Sequence, residues 1–201
     1  MRLRSLAPLC LLATALVASS CDEACDTDNL PQYPLPDAVR GWADPFAPGT
    51  EWRFRNAAGR VRTYRVDKRD VGMVGHNSKS SLCPAYYREA ADVRISRADS
   101  ADRAFYSFIM QAPLGSSNYL DASIGWDGGY FALPLIEVET GNATLPTRTI
   151  GGRTYQQVLE VQGPAPTNPA VQPRKPVRIF LTKADGIIRF EEYNGSVWER
   201  Q

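Results

Sequence analysis

From residue 49 onward the chain alternates apolar and polar residues with a period of two, and this alternation most constrains its fold. In the stretch GTEWRFRNAAGRVRTYRVDKRD, Trp52 and Phe54 share one side of a strand, while Arg53 and Arg55 share the other. The NAAG motif is a natural turn, and a second strand with the same alternation follows it. The stretch therefore predicts a β-hairpin with one apolar face.

The same pattern recurs to the C terminus, for example in NYLDASIGW, YFALPLIEVE and VRIFLTKADGIIRFEEYNGSVWE. The turns DGG, KADG and NGS are short, and short turns require antiparallel neighbours. Fifteen Gly and fifteen Pro, with nine Tyr and four Trp, favour strands and turns over a helical bundle. We expect an all-β fold, mainly an antiparallel meander of roughly nine to eleven strands, forming a barrel, half-barrel or sandwich with few or no helices.

Three stretches are less regular. DVGMVGHNSKS is typical of a loop or a short edge strand, and YYREAADVRISRA is expected to be a strand. Residues 84–91 also have the Arg, Glu and Ala content of a helix, which stays an alternative. The run GPAPTNPAVQPRKP has five prolines and predicts an exposed loop, because proline lacks the backbone donor that a sheet needs.

The N terminus has the composition of an export signal. Arg2 and Arg4 precede an apolar run from Leu6 to Val17, and the small residues 18–20 lead to Cys21. The run is shorter than the ~20 residues that a membrane-spanning helix needs. This segment resembles the signal of bacterial lipoproteins, in which small residues precede a cysteine that is lipidated and becomes the mature N terminus.

The resemblance implies a signal peptide over 1–20, palmitate on Cys21, and a protein held on a membrane of the cell envelope by its N-terminal lipid, in an extracytoplasmic location. Together with the alternation that begins at residue 49, it gives three parts: the signal at 1–20, a lipid-anchored, proline-rich leader at 21–48, and an antiparallel β domain at 49–201. The alternative is ordinary cleavage near Ala18, with Cys21 left as a structural thiol.

The other cysteines follow from this reading. Cys10 lies in the signal, so the lipidated protein keeps only Cys25 and Cys83 as free candidates. In an oxidising compartment these two are expected to form a disulfide, with two free thiols as the alternative. The disulfide would hold the domain within about four extended residues, ~14 Å, of the lipidated residue.

Charge and motifs exclude several functions. Loss of Arg2 and Arg4 with the signal leaves 21 of the 23 basic residues against 22 acidic ones, so net charge predicts no polyanion partner. His76 is the one histidine, no Gly-x-Ser-x-Gly motif is present, and a zinc site built on several His or Cys ligands is excluded by count. We predict no catalytic residue, no metal and no cofactor.

Two pairs of carboxylates are candidates for a hydrolase, because glycosidases use two such groups across a cleft. Glu137 and Glu139 are two apart on an expected strand, and Asp121 and Asp127 flank a neighbouring one. Solvated strand faces explain all four.

The first hairpin is unusually basic and is a weak candidate for binding an anionic ligand. Its aromatic residues lie on the opposite face, which argues against nucleic acid; a soluble outer face is the simpler interpretation. The candidate binding residues are Arg53, Arg55, Arg62 and Arg65. If the sheet instead encloses a cavity for an apolar ligand, its wall candidates are Trp52, Phe54, Phe105, Phe108, Trp126 and Trp198.

The C-terminal stretches TRTIGGRTYQQVLEV and RIFLTKADGIIRFEEYNGSVWE resemble the end of small β-rich envelope lipoproteins of uncharacterised function. This resemblance implies no activity and no site residues. The leading hypothesis is an anchored domain that binds a ligand or an envelope protein. The alternatives are a structural or scaffolding lipoprotein and a carboxylate-based hydrolase.

Overall fold

The structure is a computed structural model that describes residues 25, 27–78, 82–100, 105–114 and 120–201, without the side chain of Phe105. The predicted signal and Cys21 lie outside the described residues. The all-β prediction is confirmed, since strands make up 51% of the chain and helices 7%.

The strands lie mainly between residues 51 and 200. They are β1 Gln32–Tyr33, β2 Glu51–Asn56, β3 Val61–Asn77, β4 Pro84–Arg97, β5 Phe105–Gln111, β6 Asp121–Trp126, β7 Gly129–Ala132, β8 Arg148–Ile150, β9 Arg153–Tyr155, β10 Leu159–Gln162, β11 Pro176–Thr182, β12 Gly186–Glu192 and β13 Val197–Arg200. The helices are α1 Asp37–Arg40, a 3₁₀ helix Gly41–Ala43, and α2 Leu135–Glu139.

Ten strands form one antiparallel, nearly closed, barrel-like sheet in the order β10-β11-β12-β13-β2-β3-β4-β5-β6-β7. The pairing of β13 with β2 joins the two ends of the meander. β1 adds to β4 as a short parallel strand, and β8 with β9 forms a separate hairpin. Of the three architectures expected from the sequence, the barrel-like one is observed.

The two end strands of the sheet approach each other where glycines remove the side-chain bulk. A Cβ atom on Gly163, just after β10, would lie 2.7 Å from the ring of Phe131 and 2.9 Å from the carbonyl of Tyr130. A Cβ atom on Gly129 would lie 2.8 Å from the carbonyl of Pro176. These close approaches bring β7 against β10 and β11, so we refer to this line of contact as the seam.

Aromatic side chains fill the interior of the sheet. The ring centroid of Trp126 lies 4.4 Å from that of Tyr64, 5.1 Å from Tyr106 and 5.8 Å from Phe190. Five of the six residues expected to line a cavity are buried and belong to this one cluster: Trp52, Phe54, Phe108, Trp126 and Trp198. Each is at most 4% exposed and packs on other core residues. The Phe105 side chain lies outside the described part.

The segment before β2, residues 35–46, closes one end of the barrel, and we call it the plug. Leu35, Val39, Trp42 and Phe46 are each at most 2% exposed, and the ring of Phe46 stacks on Phe108 at 4.4 Å. The leader predicted for 21–48 is therefore not a free tether along its whole length. Its apolar residues are spaced among prolines, so the composition alone does not predict that they pack in the core.

β3 and β4 continue past the end of β5 as a projecting hairpin. The last pair between β4 and β5 is Ala90 with Gln111, while β3 and β4 stay paired from Met73 with Glu89 down to Asn77 with Pro84. We call this projection, residues 73–77 of β3 and 84–89 of β4, the arm. The alternative of a helix over 84–91 is wrong, and residues 70–77 continue the long strand β3, because each strand of the arm satisfies the backbone of the other.

The expected strand through Glu137 and Glu139 is also wrong, because this segment forms α2 directly after Pro134. Proline sets the first turn of a helix well and cannot donate to a sheet. Glu139 accepts hydrogen bonds from Trp42 Nε1 at 2.6 Å and from Lys183 Nζ at 2.9 Å. Its carboxylate therefore fixes the plug at the closed end of the barrel.

Candidate anion-binding pocket

The end of the barrel opposite the arm carries the turns β2–β3, β6–β7 and β12–β13, and the proline-rich loop between β10 and β11. This loop, residues 163–175, folds across the opening. The backbone N–H of Tyr193 donates to the carbonyl of Lys175 at 3.0 Å, and that of Asn194 to the carbonyl of Pro173 at 2.9 Å. We call this end the mouth.

A buried arginine lies beneath the mouth. The side chain of Arg62 is 9% exposed, and its Nη2 lies 2.7 Å from Oε1 of Glu192, whose side chain is 2% exposed. Its Nη1 donates to Oδ2 of Asp127 at 3.1 Å. The guanidinium lies 3.9 Å from the ring centroid of Trp198, where cation–π attraction adds to the ion pairs. Arg62 is thereby held rigidly between two acids and an aromatic face.

Tyrosines complete the floor beneath this group. The hydroxyl of Tyr106 donates to Oδ1 of Asp127 at 3.3 Å, while the buried hydroxyl of Tyr64 has no partner within the described ranges. Burial, and then the negative charge of Asp127, raise the pKa of both phenols. Both hydroxyls therefore stay protonated and neutral across the physiological pH range.

Above the floor lies a pocket of about 270 Å³ with a strongly basic lining. Arg97 is paired with Asp99, whose Oδ2 lies 2.9 Å from Nη2. Arg60 and Arg174 are exposed and have no acidic partner in the described part of the chain. The lining consists of Asn56, Arg60, Val61, Arg62, Arg97, Arg174, Glu192, Asn194, Ser196 and Trp198. We call this the arginine pocket.

The chemistry of the arginine pocket favours a small anion. The acids near Arg62 and Arg97 are already committed as acceptors, so the positive charges of Arg60 and Arg174 are the surplus. Guanidinium groups present a planar fork of donors that matches a carboxylate or a phosphate in two-point geometry. The side chains of Asn56, Asn194 and Ser196 add neutral hydrogen-bonding groups at the rim.

The four arginines proposed from the sequence do not form one patch. Arg53, Arg55 and Arg65 lie exposed on the outer face of the sheet, whereas Arg62 points inward with Tyr64. The alternation that separates Trp52 from Arg53 also places Arg62 on the apolar side of β3, so this signal was present in the sequence. Nothing in the sequence brings Arg174, more than a hundred residues away, to the same pocket.

The carboxylate pairs considered for hydrolysis are not assembled either. Asp121 and Asp127 mark opposite ends of β6, and Glu137 is exposed on α2. At the mouth, the carboxylates of Asp127 and Glu192 converge on Arg62, which bridges them.

The remaining predicted residues lie at the arm end. Cys25 and Cys83 form a disulfide, with sulfur atoms 2.04 Å apart. His76 contacts Nε2 of Gln111 at 2.7 Å and stacks on Tyr86, with ring centroids 5.2 Å apart. The histidine is thus a packed residue of the arm, far from the arginine pocket.

Comparisons with family models, with curated proteins and with solved structures give no match to this chain. The two α-helices of the described ranges have four and five residues, so neither is long and apolar enough to span a membrane. The geometry of the arginine pocket is accordingly the main guide to function.

Proposed function

We propose that this protein is an extracytoplasmic lipoprotein, anchored to a membrane of the cell envelope through lipidated Cys21, and that its β domain binds a small anionic ligand in the arginine pocket. The observation that carries the binding proposal is the position of Arg60 and Arg174, which form no ion pair in the described part of the chain, above the buried Arg62–Trp198 stack. The ligand class is a carboxylate or a phosphate.

Three features support binding at the mouth over binding inside the barrel. The interior is occupied by mutually packed aromatic rings. The buried Arg62 cannot turn outward without abandoning Glu192, so it supplies a fixed electrostatic floor rather than a flexible contact. Arg60 and Arg174 are exposed and can close on a ligand from the rim. A fixed floor and an exposed rim together suit a site that admits and releases its ligand.

The anchor is tested by metabolic labelling. Radiolabelled palmitate should enter the wild-type protein, which should fractionate with membranes, because two or three acyl chains hold a protein on a bilayer stably. Cys21→Ser should take up no label and become soluble. Label that persists in Cys21→Ser would show that the lipid is attached elsewhere.

The pocket is tested by isothermal titration calorimetry with inorganic phosphate and with succinate at low ionic strength. We expect Arg60→Gln and Arg174→Gln each to weaken binding about tenfold, the loss typical of one charge-assisted hydrogen bond. The matched controls are Arg53→Gln and Arg55→Gln, which remove the same charge from the outer face and should leave binding unchanged. Equal weakening by the controls would indicate a general charge effect and contradict a defined site.

A further inference from the structure

We propose that the end of the arm rests on the surface of the bilayer, so that the domain stands on the membrane with the arginine pocket facing away from it. The contact surface is the described part of the arm's free end, residues 73–78 and 82–87, which we call the arm tip. The occupant is lipid. The inference rests on the lipidation of Cys21 proposed above.

The described part of the arm tip carries no charged side chain, in a chain that is 22% charged. Residues 73–78 and 82–87 include no Asp, Glu, Lys or Arg; Lys79 belongs to the turn between them, which lies outside the described residues. Leu82 is 92% exposed, and Met73 and Val74 are 40% and 45% exposed. An exposed, uncharged strand edge is usually a liability in water, and natural proteins protect such edges with charges. Lipid that covered this edge would remove its exposure to water.

Tyrosines form a layer just above the arm tip's apolar end. Tyr33 of β1 packs edge-on against Tyr86, with ring centroids 6.0 Å apart, and Tyr87 is the next residue of β4. All three are half-buried. Tyrosine has an apolar ring and a polar hydroxyl, and it is enriched at the level of lipid headgroups for this reason. The order from the tip upward, leucine and then tyrosines, matches the order of acyl boundary and headgroups.

The disulfide ties this surface to the proposed anchor. Cys83 follows Leu82 directly, and its Cα lies 5.5 Å from that of Cys25. Cys25 is four residues from Cys21, a reach of at most ~14 Å. Acyl chains on Cys21 would be buried in the bilayer, and these lengths add up to a reach of about 25 Å from Cys21 to Leu82. The bilayer is therefore a surface that the exposed arm tip can reach, and lipid is the occupant that the tether favours.

The opposite end of the sheet then points away from the membrane. The arm leaves the barrel on the side of α1, whereas the mouth is built from the turns at the other ends of the same strands. Val171, in the proline-rich loop of the mouth, is 73% exposed. It provides a probe position as apolar as Leu82 but at the far end of the molecule.

The test uses the full-length lipidated protein in phosphatidylcholine vesicles whose acyl chains carry bromine, which quenches tryptophan fluorescence at short range. The native residues Trp42, Trp52, Trp126 and Trp198 are at most 4% exposed, so the wild-type protein supplies the baseline. We expect brominated lipid to remove most of the fluorescence that Leu82→Trp adds to this baseline. The fluorescence that Val171→Trp adds should be the same in brominated and ordinary lipid.

The outcomes separate the inference from the anchor. If the protein sediments with the vesicles but Leu82→Trp is not quenched, the arm tip does not rest on lipid, and a crosslink from it to another protein would identify a protein occupant instead. If Leu82→Trp and Val171→Trp are quenched equally, the proposed orientation is wrong. If the wild-type protein fails to sediment with the vesicles, the anchor fails and the inference fails with it.

Discussion

At the residue scale, Arg62 shows how one side chain can be both costly and indispensable. A buried charge loses its hydration, and only close partners offset that loss. Here Glu192 and Asp127 supply the opposite charges and Trp198 supplies a ring face. Glu192 is almost completely buried, and Arg62 is the cation that lies against its carboxylate. Each member of the Arg62–Glu192 pair therefore offsets the cost of burying the other beneath the arginine pocket.

Removal of Arg62 alone should be strongly destabilising. We expect Arg62→Met to lower the free energy of unfolding by about 3–5 kcal/mol, because it leaves the carboxylate of Glu192 buried without a partner. Urea denaturation followed by circular dichroism measures this loss.

The matched variant is the double substitution Arg62→Met with Glu192→Met. It should be more stable than Arg62→Met alone, because no isolated buried charge remains and Asp127, whose side chain is 27% exposed, retains contact with water. A double variant that is less stable than the single one would show that the packing around Glu192, rather than its charge, is what matters.

At the element scale, the attachment of α1 to β4 is made by one carboxylate. Oε2 of Glu89 accepts hydrogen bonds from the backbone N–H of Leu35 at 2.9 Å and from Nη2 of Arg40 at 2.8 Å, and Oε1 accepts from Nε of Arg40 at 3.0 Å. The hydrogen bonds from Arg40 are the main reason that the pKa of Glu89 lies below its ordinary value. Glu89 thereby fastens the plug of the barrel to the base of the arm.

This contact should make stability depend on pH in the acid range. Because the pKa of Glu89 is lower in the folded than in the unfolded state, its contribution is complete above the unfolded value of about 4.3 and is lost as the pH falls through the folded value. We expect Glu89→Gln to cost about 2 kcal/mol at pH 7, and this difference from the wild type to shrink between about pH 5 and pH 3. Urea unfolding at several pH values measures it.

Glu137→Gln is the control for the pH series. The residue is an exposed glutamate of α2 that forms no ion pair in the described part of the chain, so the substitution should leave stability at pH 7 unchanged. A difference between wild type and Glu89→Gln that stayed constant down to pH 3 would show that the hydrogen-bonding shape of the side chain, and not its charge, holds α1.

The elements that sequence predicts are those with a local signal. The hairpin of β2 and β3 followed from the alternation around Trp52 and Phe54, and the late strands followed from turns such as KADG. The plug could not be predicted in this way, because Leu35, Val39 and Trp42 pack against a barrel end that distant strands form. The arginine pocket is of the same kind, since Arg62 and Arg174 meet only through the return of the proline-rich loop. Local patterns thus specified strands, and long-range pairing specified the site.

At the scale of the whole molecule, the closeness of β7 to β10 and β11 decides whether ten strands form an open sheet or a barrel-like one. No side chain can be placed at Gly163 without meeting both the ring of Phe131 and the carbonyl of Tyr130. An open sheet would expose the inner face of Phe131, which is fully buried, so closure also protects the core. The absence of a side chain at Gly163 therefore allows the strands to meet at the seam, and this contact makes the sheet barrel-like.

The seam gives a prediction with an internal control. Gly163→Ala should lower the free energy of unfolding by about 1–3 kcal/mol, because the added methyl group must push the Phe131 ring or the β7 backbone away. Gly72→Ala makes the same chemical change in β3, where no atom lies within 4 Å of the new Cβ, and should be neutral or slightly stabilising. Thermal and urea unfolding of both variants measure the difference. Equal stability of the two would mean that the strands meet at Gly163 loosely enough to absorb a methyl group, and would contradict a tightly packed seam.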